Sequence, residues 1–235
     1  MPACNRSAHE PKFTDVTNEH AASYTQEDAR VFALALRAIT PLEDTDIAQV
    51  LAFSRPRVLA RGQFLLQAGE HASEVGVVIT GLLREYFVMP DGTERTKAFG
   101  SPGYPTGSLA DLLSGQPSRA FIVAEEPTRI LVADYAQSLA LAERSSAWRR
   151  YGEQLTQRIL LIKAEREYEL LGMDAAARYA RFSTRYPGLE ARVAARHVAS
   201  YLGITAVHLS RLRKRRRKAV AANGVSLAAP RFRGS

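Results

Sequence analysis

The sequence predicts an α+β chain with an antiparallel β barrel or roll in its first half and helices from there to the C-terminal region. Three observations carry this expectation. Between Arg57 and Tyr135, short apolar or alternating runs are divided by turn signals; from Tyr135, apolar residues recur three and four apart; and near the C-terminus a glycine separates two short helical patterns. With 235 residues, 46% of them hydrophobic, the chain can bury a sizeable core, and the change of texture favours two domains over one.

Residues 1–26 are polar, mixed in charge and without period, and are expected to be disordered. From Glu27 the patterns DARVFALALRAI and DTDIAQVLAF predict two short helices separated around Pro41. The strand candidates are FLLQ, VGVVI, LLREYFVM, ERTKAF, RAFIVA and RILVA, with turns at Ala68 to Glu70, Thr80-Gly81, Pro90 to Gly92 and Ser101 to Gly103. The helical period then runs from about Tyr135 to Leu171. Trp148, Tyr151, Leu155, Ile159 and Ile162 form one stripe, continued by Arg166 and Glu169, while Leu160, Leu161, Ala164 and Leu171 offer a second surface. A long helix that buries two surfaces needs two neighbours: its own β domain and a symmetry mate in a parallel, coiled-coil-like pair. One broad face packing within a monomer is the alternative. DAAARYARFSTRY stops before Pro187-Gly188, EARVAARHVASYL and TAVHLSRLRKRRRKAVA are the last two helices, and the chain ends in a loose tail. The expected divisions are 1–26, a β domain over 27–142, the long helix over 143–171, a C-terminal helical domain over 172–221 and a tail over 222–235.

Charge narrows the function. The formal net charge is +8, from 32 basic and 24 acidic residues; Arg211 to Ser235 hold nine basic residues and no acidic one, which leaves 23 against 24, or −1, over residues 1–210. Such a cluster repels itself unless an anionic partner offsets it, and a polyphosphate backbone is the commonest partner. No apolar run is long enough to span a membrane and the first 25 residues lack the apolar stretch of a secretory signal, so a soluble, cytoplasmic protein is expected, without a membrane partner. The single Cys4 allows no internal disulfide and no cysteine-ligated metal or iron-sulfur centre. No phosphate-cradling glycine loop, HExxH or GxSxG is present, and Glu125-Glu126 lie beside a turn without an evident partner. Neither enzyme activity, nor a metal, nor a tightly held cofactor is expected.

The stretch HVASYLGITAVHLSRLRKRRRK, from His197 to Lys218, ties the charge to a structure. Gly203 is the turn, Ala199 is small enough for a close crossing, and Val198, Leu202, Ile204, Leu209 and Leu212 supply buried positions, as two helices meeting at a steep angle require. The sequence therefore predicts a helix-turn-helix. Thr205 caps the second helix, and Ala206, Val207, Ser210 and Arg211 face outward, followed by Arg213 and Lys214; His208 reads as partly packed. In such a motif the start of the second helix enters the DNA major groove. Arg211 can bind guanine through two hydrogen bonds, Ser210 can serve base or phosphate, Ala206 and Val207 offer apolar contact, and the later basic residues meet the backbone.

The chain resembles the Crp/Fnr transcription regulators from about Leu42 to Val220. The resemblance rests on RGQFLLQAGE, on the series Gly62, Gly69, Gly81, Gly92 and Gly103, on PDGTERTKAFGSPG and on ASYLGIT..HLSRLRK. It implies a jelly-roll-like, cyclic-nucleotide-binding-like β roll, a long dimerisation helix and a C-terminal winged helix-turn-helix. It also implies a homodimer on roughly palindromic double-stranded DNA, with RNA polymerase as a further partner. Members that bind cyclic AMP carry a Glu for the ribose hydroxyl and an Arg for the cyclic phosphate; here Ser108 and Ser118 stand in those places, with Arg119 one position later. The matching effector residues are Gly107, Ser108, Leu109, Ser118, Arg119, Ala120 and, on the long helix, Lys163, which with Ala164 replaces an adenine-contacting Thr-Ser pair. These exchanges argue against cyclic AMP and leave room for another small-molecule effector. Two other functions compete with regulated, sequence-specific DNA binding: a cyclic-nucleotide-type module that controls a partner enzyme, and a nonspecific nucleic-acid binder.

Overall fold

The computed structural model describes residues 23–222. The expected tail lies outside that span except for Ala222, and of the leader only residues 23–26 fall within it. Helix α1 (Gln26–Arg37) starts from a reciprocal cap: the Thr25 hydroxyl accepts the Asp28 amide at 3.1 Å and the Asp28 carboxylate accepts the Thr25 amide at 2.7 Å. Helix α2 (Asp44–Leu51) buries Ile47 and Val50.

Eight strands form two antiparallel four-stranded sheets: β1 (Ser54–Leu59), β2 (Phe64–Leu66), β3 (Glu74–Thr80), β4 (Leu83–Val88), β5 (Glu94–Gly100), β6 (Pro105–Thr106), β7 (Ala120–Ala124) and β8 (Thr128–Asp134). Their orders are β1-β8-β3-β6 and β2-β7-β4-β5. All six strand candidates are present. Strands β1 and β6 are additional: Pro56 confines β1 to an edge, and β6 is a two-residue bridge that ends just before Gly107. The alternation of strand side chains shows most clearly in β8. Ile130 and Val132 turn into the roll to meet Leu59, Leu66, Val78, Leu83 and Ile122, while Leu131 and Ala133 face the opposite way onto Phe32, Leu36, Leu141 and Trp148. Both faces of that strand are therefore covered, which is why it reads as an uninterrupted apolar run.

After β6 comes the short helix α3 (Leu109–Ser114). The helical period expected from about Tyr135 to Leu171 forms two helices, α4 (Tyr135–Arg144) and the long α5 (Ser146–Gly172). Ser145 breaks them, closing α4 while its hydroxyl accepts the Trp148 amide of α5 at 3.4 Å, and Trp148 Nε1 donates to the Asp46 carbonyl at 3.1 Å. A serine that offers its own side chain to the backbone makes this break cheap.

Helix α6 (Ala175–Arg185) is capped by Asp174. The helix expected over EARVAARHVASYL is split into a single 3-10 turn (Leu189–Ala191) and α7 (Ala195–Leu202). The break lets Val193 drop into the core and lets Arg192 reach Glu126 at 2.6 Å. Helix α8 (Ala206–Ala222) then runs on without interruption, and among the described residues no strand follows β8. The two-stranded wing implied by the resemblance is thus missing from 172–222. From Ala206 to Ala222 the chain contains no glycine or proline to turn a hairpin, and Arg, Lys, Leu and Ala all favour helix.

The C-terminal helices share a core built from Tyr179, Phe182, Leu189, Val198, Tyr201, Leu202, Leu209 and Leu212, into which the roll inserts Leu82 and Phe99. Phe99 is completely buried and meets Phe182, Tyr186 and Tyr201 ring to ring at 5.8–6.3 Å.

Candidate nucleic-acid interface and effector cavity

The turn between α7 and α8 is built on Gly203, whose φ of 66° lies in the left-handed region that a side chain disfavours. The Thr205 hydroxyl accepts the His208 amide at 3.2 Å and so starts α8. Leu209 and Leu212 are buried; Ala206, Val207, Ser210 and Arg211 are exposed, Val207 by 62%. His208, expected to be partly packed, is exposed as well. Arg213 departs from its expected outward role: its Nε donates to Glu190 at 3.1 Å and the side chain is half-buried against the body of the domain. Lys214 is exposed. Arg216 donates to the Ser183 hydroxyl at 2.6 Å and lies 5.5 Å from the centre of the Tyr179 ring. Among the described residues, Arg211, Lys214, Arg215, Arg217 and Lys218 enter no ion pair.

Helix α7 docks along the free edge of β5. The Ser200 hydroxyl accepts the Thr96 amide and donates to the Glu94 carbonyl, both at 2.8 Å, and so satisfies two groups of an open strand edge. Beneath it lies a buried ionic cluster. Arg84 contacts Glu125 and also Glu94 at 2.9 Å, and His197 Nδ1 of α7 sits 3.0 Å from Glu125. Burial pushes the Glu125 carboxyl up, but the His197 and Arg84 contacts outweigh it and hold it below the usual carboxylate range. The sequence gives no sign of this cluster, since its members are separated by 41 and 72 positions and each alone reads as an ordinary surface charge.

The expected effector residues divide. Gly107, Leu109 and Lys163 line a cavity of about 260 Å³ between the roll and α5. Gly107 has φ 112°, and a Cβ there would lie 2.7 Å from the Glu74 carbonyl oxygen, so the chain passes at this point only as glycine. Ser108 is buried and lines a separate recess on the far side of the loop, with Arg57, His71 and Glu74. The Ser118 hydroxyl is closed on its own neighbourhood, bonded at 3.1 Å to both the amide and the carbonyl of Ala120, which is itself buried. Arg119 is exposed and lines none of these spaces. Sequence reasoning missed Glu85 and Lys97, which form an ion pair inside the cavity, and Arg158 and Arg166, which line it from α5. Part of that signal was legible: 155, 158, 159, 162, 163 and 166 lie three and four apart on one helix face.

Residues 56–145 match the family described as the cyclic nucleotide-binding domain. No curated protein sequence matches the chain at a significant level. Among solved structures, FixK2 from Bradyrhizobium japonicum superposes with a TM-score of 0.63 at 21% identity, covering 76% of this chain and 90% of that one. The fold is that of the Crp/Fnr regulators. Two further structures show the same Crp/Fnr architecture. A CooA variant from Carboxydothermus hydrogenoformans has a TM-score of 0.58 and 23% identity over 72% of this chain and 79% of its own. The Thermus thermophilus catabolite activator protein has 0.51 and 24% over 83% and 91%. No helix of the described residues is long and apolar enough to cross a membrane.

Proposed function

We propose that the chain is a homodimeric, sequence-specific DNA-binding regulator of transcription, acting with RNA polymerase, whose β roll carries an effector cavity that is not built for cyclic AMP. The observation that carries the reading is the outer surface of α8. Its first two turns hold Ala206, Val207, Ser210 and Arg211 exposed over the buried Leu209 and Leu212, and Lys214 and Arg215, unpaired among the described residues, follow. A rigid, capped helix with its apolar side fixed inward fits a major groove, and Arg211 reaches furthest as a donor to a guanine edge.

Pairing of two chains is supported by α5. Leu160, Leu161, Tyr168 and Leu171 are exposed by 59–81%, and Leu161, Ala164, Tyr168 and Leu171 recur at the alternating three and four spacing of a coiled-coil seam. On the opposite face Trp148 and Tyr151 pack into the core shared with the roll, and Leu155 and Ile159 line the cavity. Two reading helices brought together by one two-fold axis call for half-sites about one helical turn apart.

The test is selection of bound duplexes from a randomised library with the purified chain at raised salt. Enrichment of a two-fold symmetric sequence is expected. Equal affinity for scrambled duplexes would leave only nonspecific binding.

A further inference from the structure

From the lining of the cavity between the roll and α5 we infer that its ligand is a small organic acid: one carboxylate on an apolar, aromatic or branched body, and not a nucleotide. The inference rests on the regulator reading above and deepens it by naming the ligand class.

Helix α5 presents Leu155, Ile159 and Ile162 to the cavity, and the roll adds Leu83, Tyr104 and Ile122. Those side chains form an apolar floor. Cations stand above it: Lys97, Arg158, Lys163 and Arg166, against Glu85 as the single carboxylate of the lining. Two of the four are already neutralised, Lys97 by Glu85 and Arg166 by Glu169 at 2.9 Å. The other two are not. Arg158 gives one nitrogen to the Ala38 carbonyl at 3.0 Å, and Lys163 has no carboxylate partner among the described residues. Two uncompensated cations beside an apolar surface make this an attractive place for an anion with an apolar body.

The lining lacks the two side chains that would have to hold a nucleotide. A ribose has several hydroxyls to satisfy and a cyclic phosphate needs a bidentate partner, whereas Ser118 spends its hydroxyl on the Ala120 backbone and Arg119 points elsewhere. Burial holds the Tyr104 phenol at about 12, so it remains a neutral hydroxyl at any physiological pH and adds one donor without adding charge. The volume of about 260 Å³ suits a compact ligand.

Matched pairs of probes separate charge from hydrophobicity: 1-naphthylacetate with 1-naphthylacetamide, and 4-methylpentanoate with 4-methylpentanamide, titrated calorimetrically into the full chain, with cyclic AMP alongside. At least one acid is expected to bind about tenfold or more tightly than its amide, the equivalent of one charge-assisted hydrogen bond. Lys163→Gln and Arg158→Gln, both at exposed positions and so harmless to folding, should each weaken the acid several-fold and leave the amide unchanged. Equal binding of acid and amide, no binding of either acid, equal effects of the substitutions on both, or tighter binding of cyclic AMP would each overturn the inference. Selection of duplex DNA by the same preparation is a separate readout. A protein that selects DNA but ignores the acids keeps its regulator reading and loses this one; a protein that binds the acids but selects no DNA does the reverse.

Discussion

Arg211 and Arg215 lie four residues apart on α8, both exposed and unpaired among the described residues, yet the proposed function gives them different work. In the proposed complex Arg211 belongs to the turns that face a groove, so Arg211→Ala should cost about 1–3 kcal/mol on the preferred duplex and relax selectivity at one base pair. Arg215→Ala should weaken all duplexes alike and lower the slope of affinity against salt, as loss of a phosphate contact does. Fluorescence anisotropy across salt concentrations with preferred and scrambled duplexes distinguishes the two. A different residue governs stability in acid. Asp28, buried at the start of α1, accepts Arg129 at 2.6–3.0 Å, and this contact with those of the Thr25 cap brings its carboxyl from 3.8 down to about 2 despite the opposing cost of burial. Its folded value is depressed, so its contribution is complete above the unfolded value and is lost as pH falls from about 5 toward 2. About 1–2 kcal/mol is involved, allowing for the solvent that reaches Arg129. Urea melts of the parent and Asp28→Asn should therefore differ at pH 6 and converge near pH 2.

Among the elements, β5 has two clients. Lys97 and Ala98 line the cavity, while Glu94, Thr96 and Phe99 hold the C-terminal helices. Ser200→Ala should leave the Thr96 amide and Glu94 carbonyl unpaired and cost about 1–3 kcal/mol. Hydrogen exchange is the suitable measurement: faster exchange at Thr96 and along α7, with β8 unchanged, is expected. The elements also show what a sequence can and cannot reveal. Strands β3, β4 and β8 were legible because short apolar or alternating runs lie between turn signals, and the α7–α8 pair was legible because its turn needs a glycine and its inner positions need aliphatic side chains. Ser145 was not, because a helical stripe continues through it and only the tertiary contact of Trp148 with Asp46 decides the break. Arg166 and Glu169 continue the apolar stripe of α5 as charged residues. The fold explains them: Glu169, 2% exposed, accepts Arg166 at 2.9 Å and Arg185 of α6 at 2.7 Å, so the stripe becomes ionic where α5 stops facing the roll and meets the C-terminal helices.

For the molecule as a whole, the proposed dimer rests on the exposed face of α5. Leu161→Glu places a charge in the middle of the proposed seam, where two copies would oppose each other, and sedimentation should show a dimer replaced by a monomer with an unchanged circular dichroism spectrum. Affinity for a two-fold duplex should fall far more than affinity for a single half-site. The candidate site was less legible at this scale than the fold was: the cavity is assembled from β4, β5, the loop before α3 and α5, and no local pattern announces a union of segments that distant. The burial of Phe99 and Leu82 under the C-terminal helices bears on how the protein is handled at the bench. A fragment cut after Arg144, as a family match ending at residue 145 would invite, strips the cover from both side chains and bares the outer rim of a sheet, and such a piece should clump in solution even though every strand of its barrel is intact.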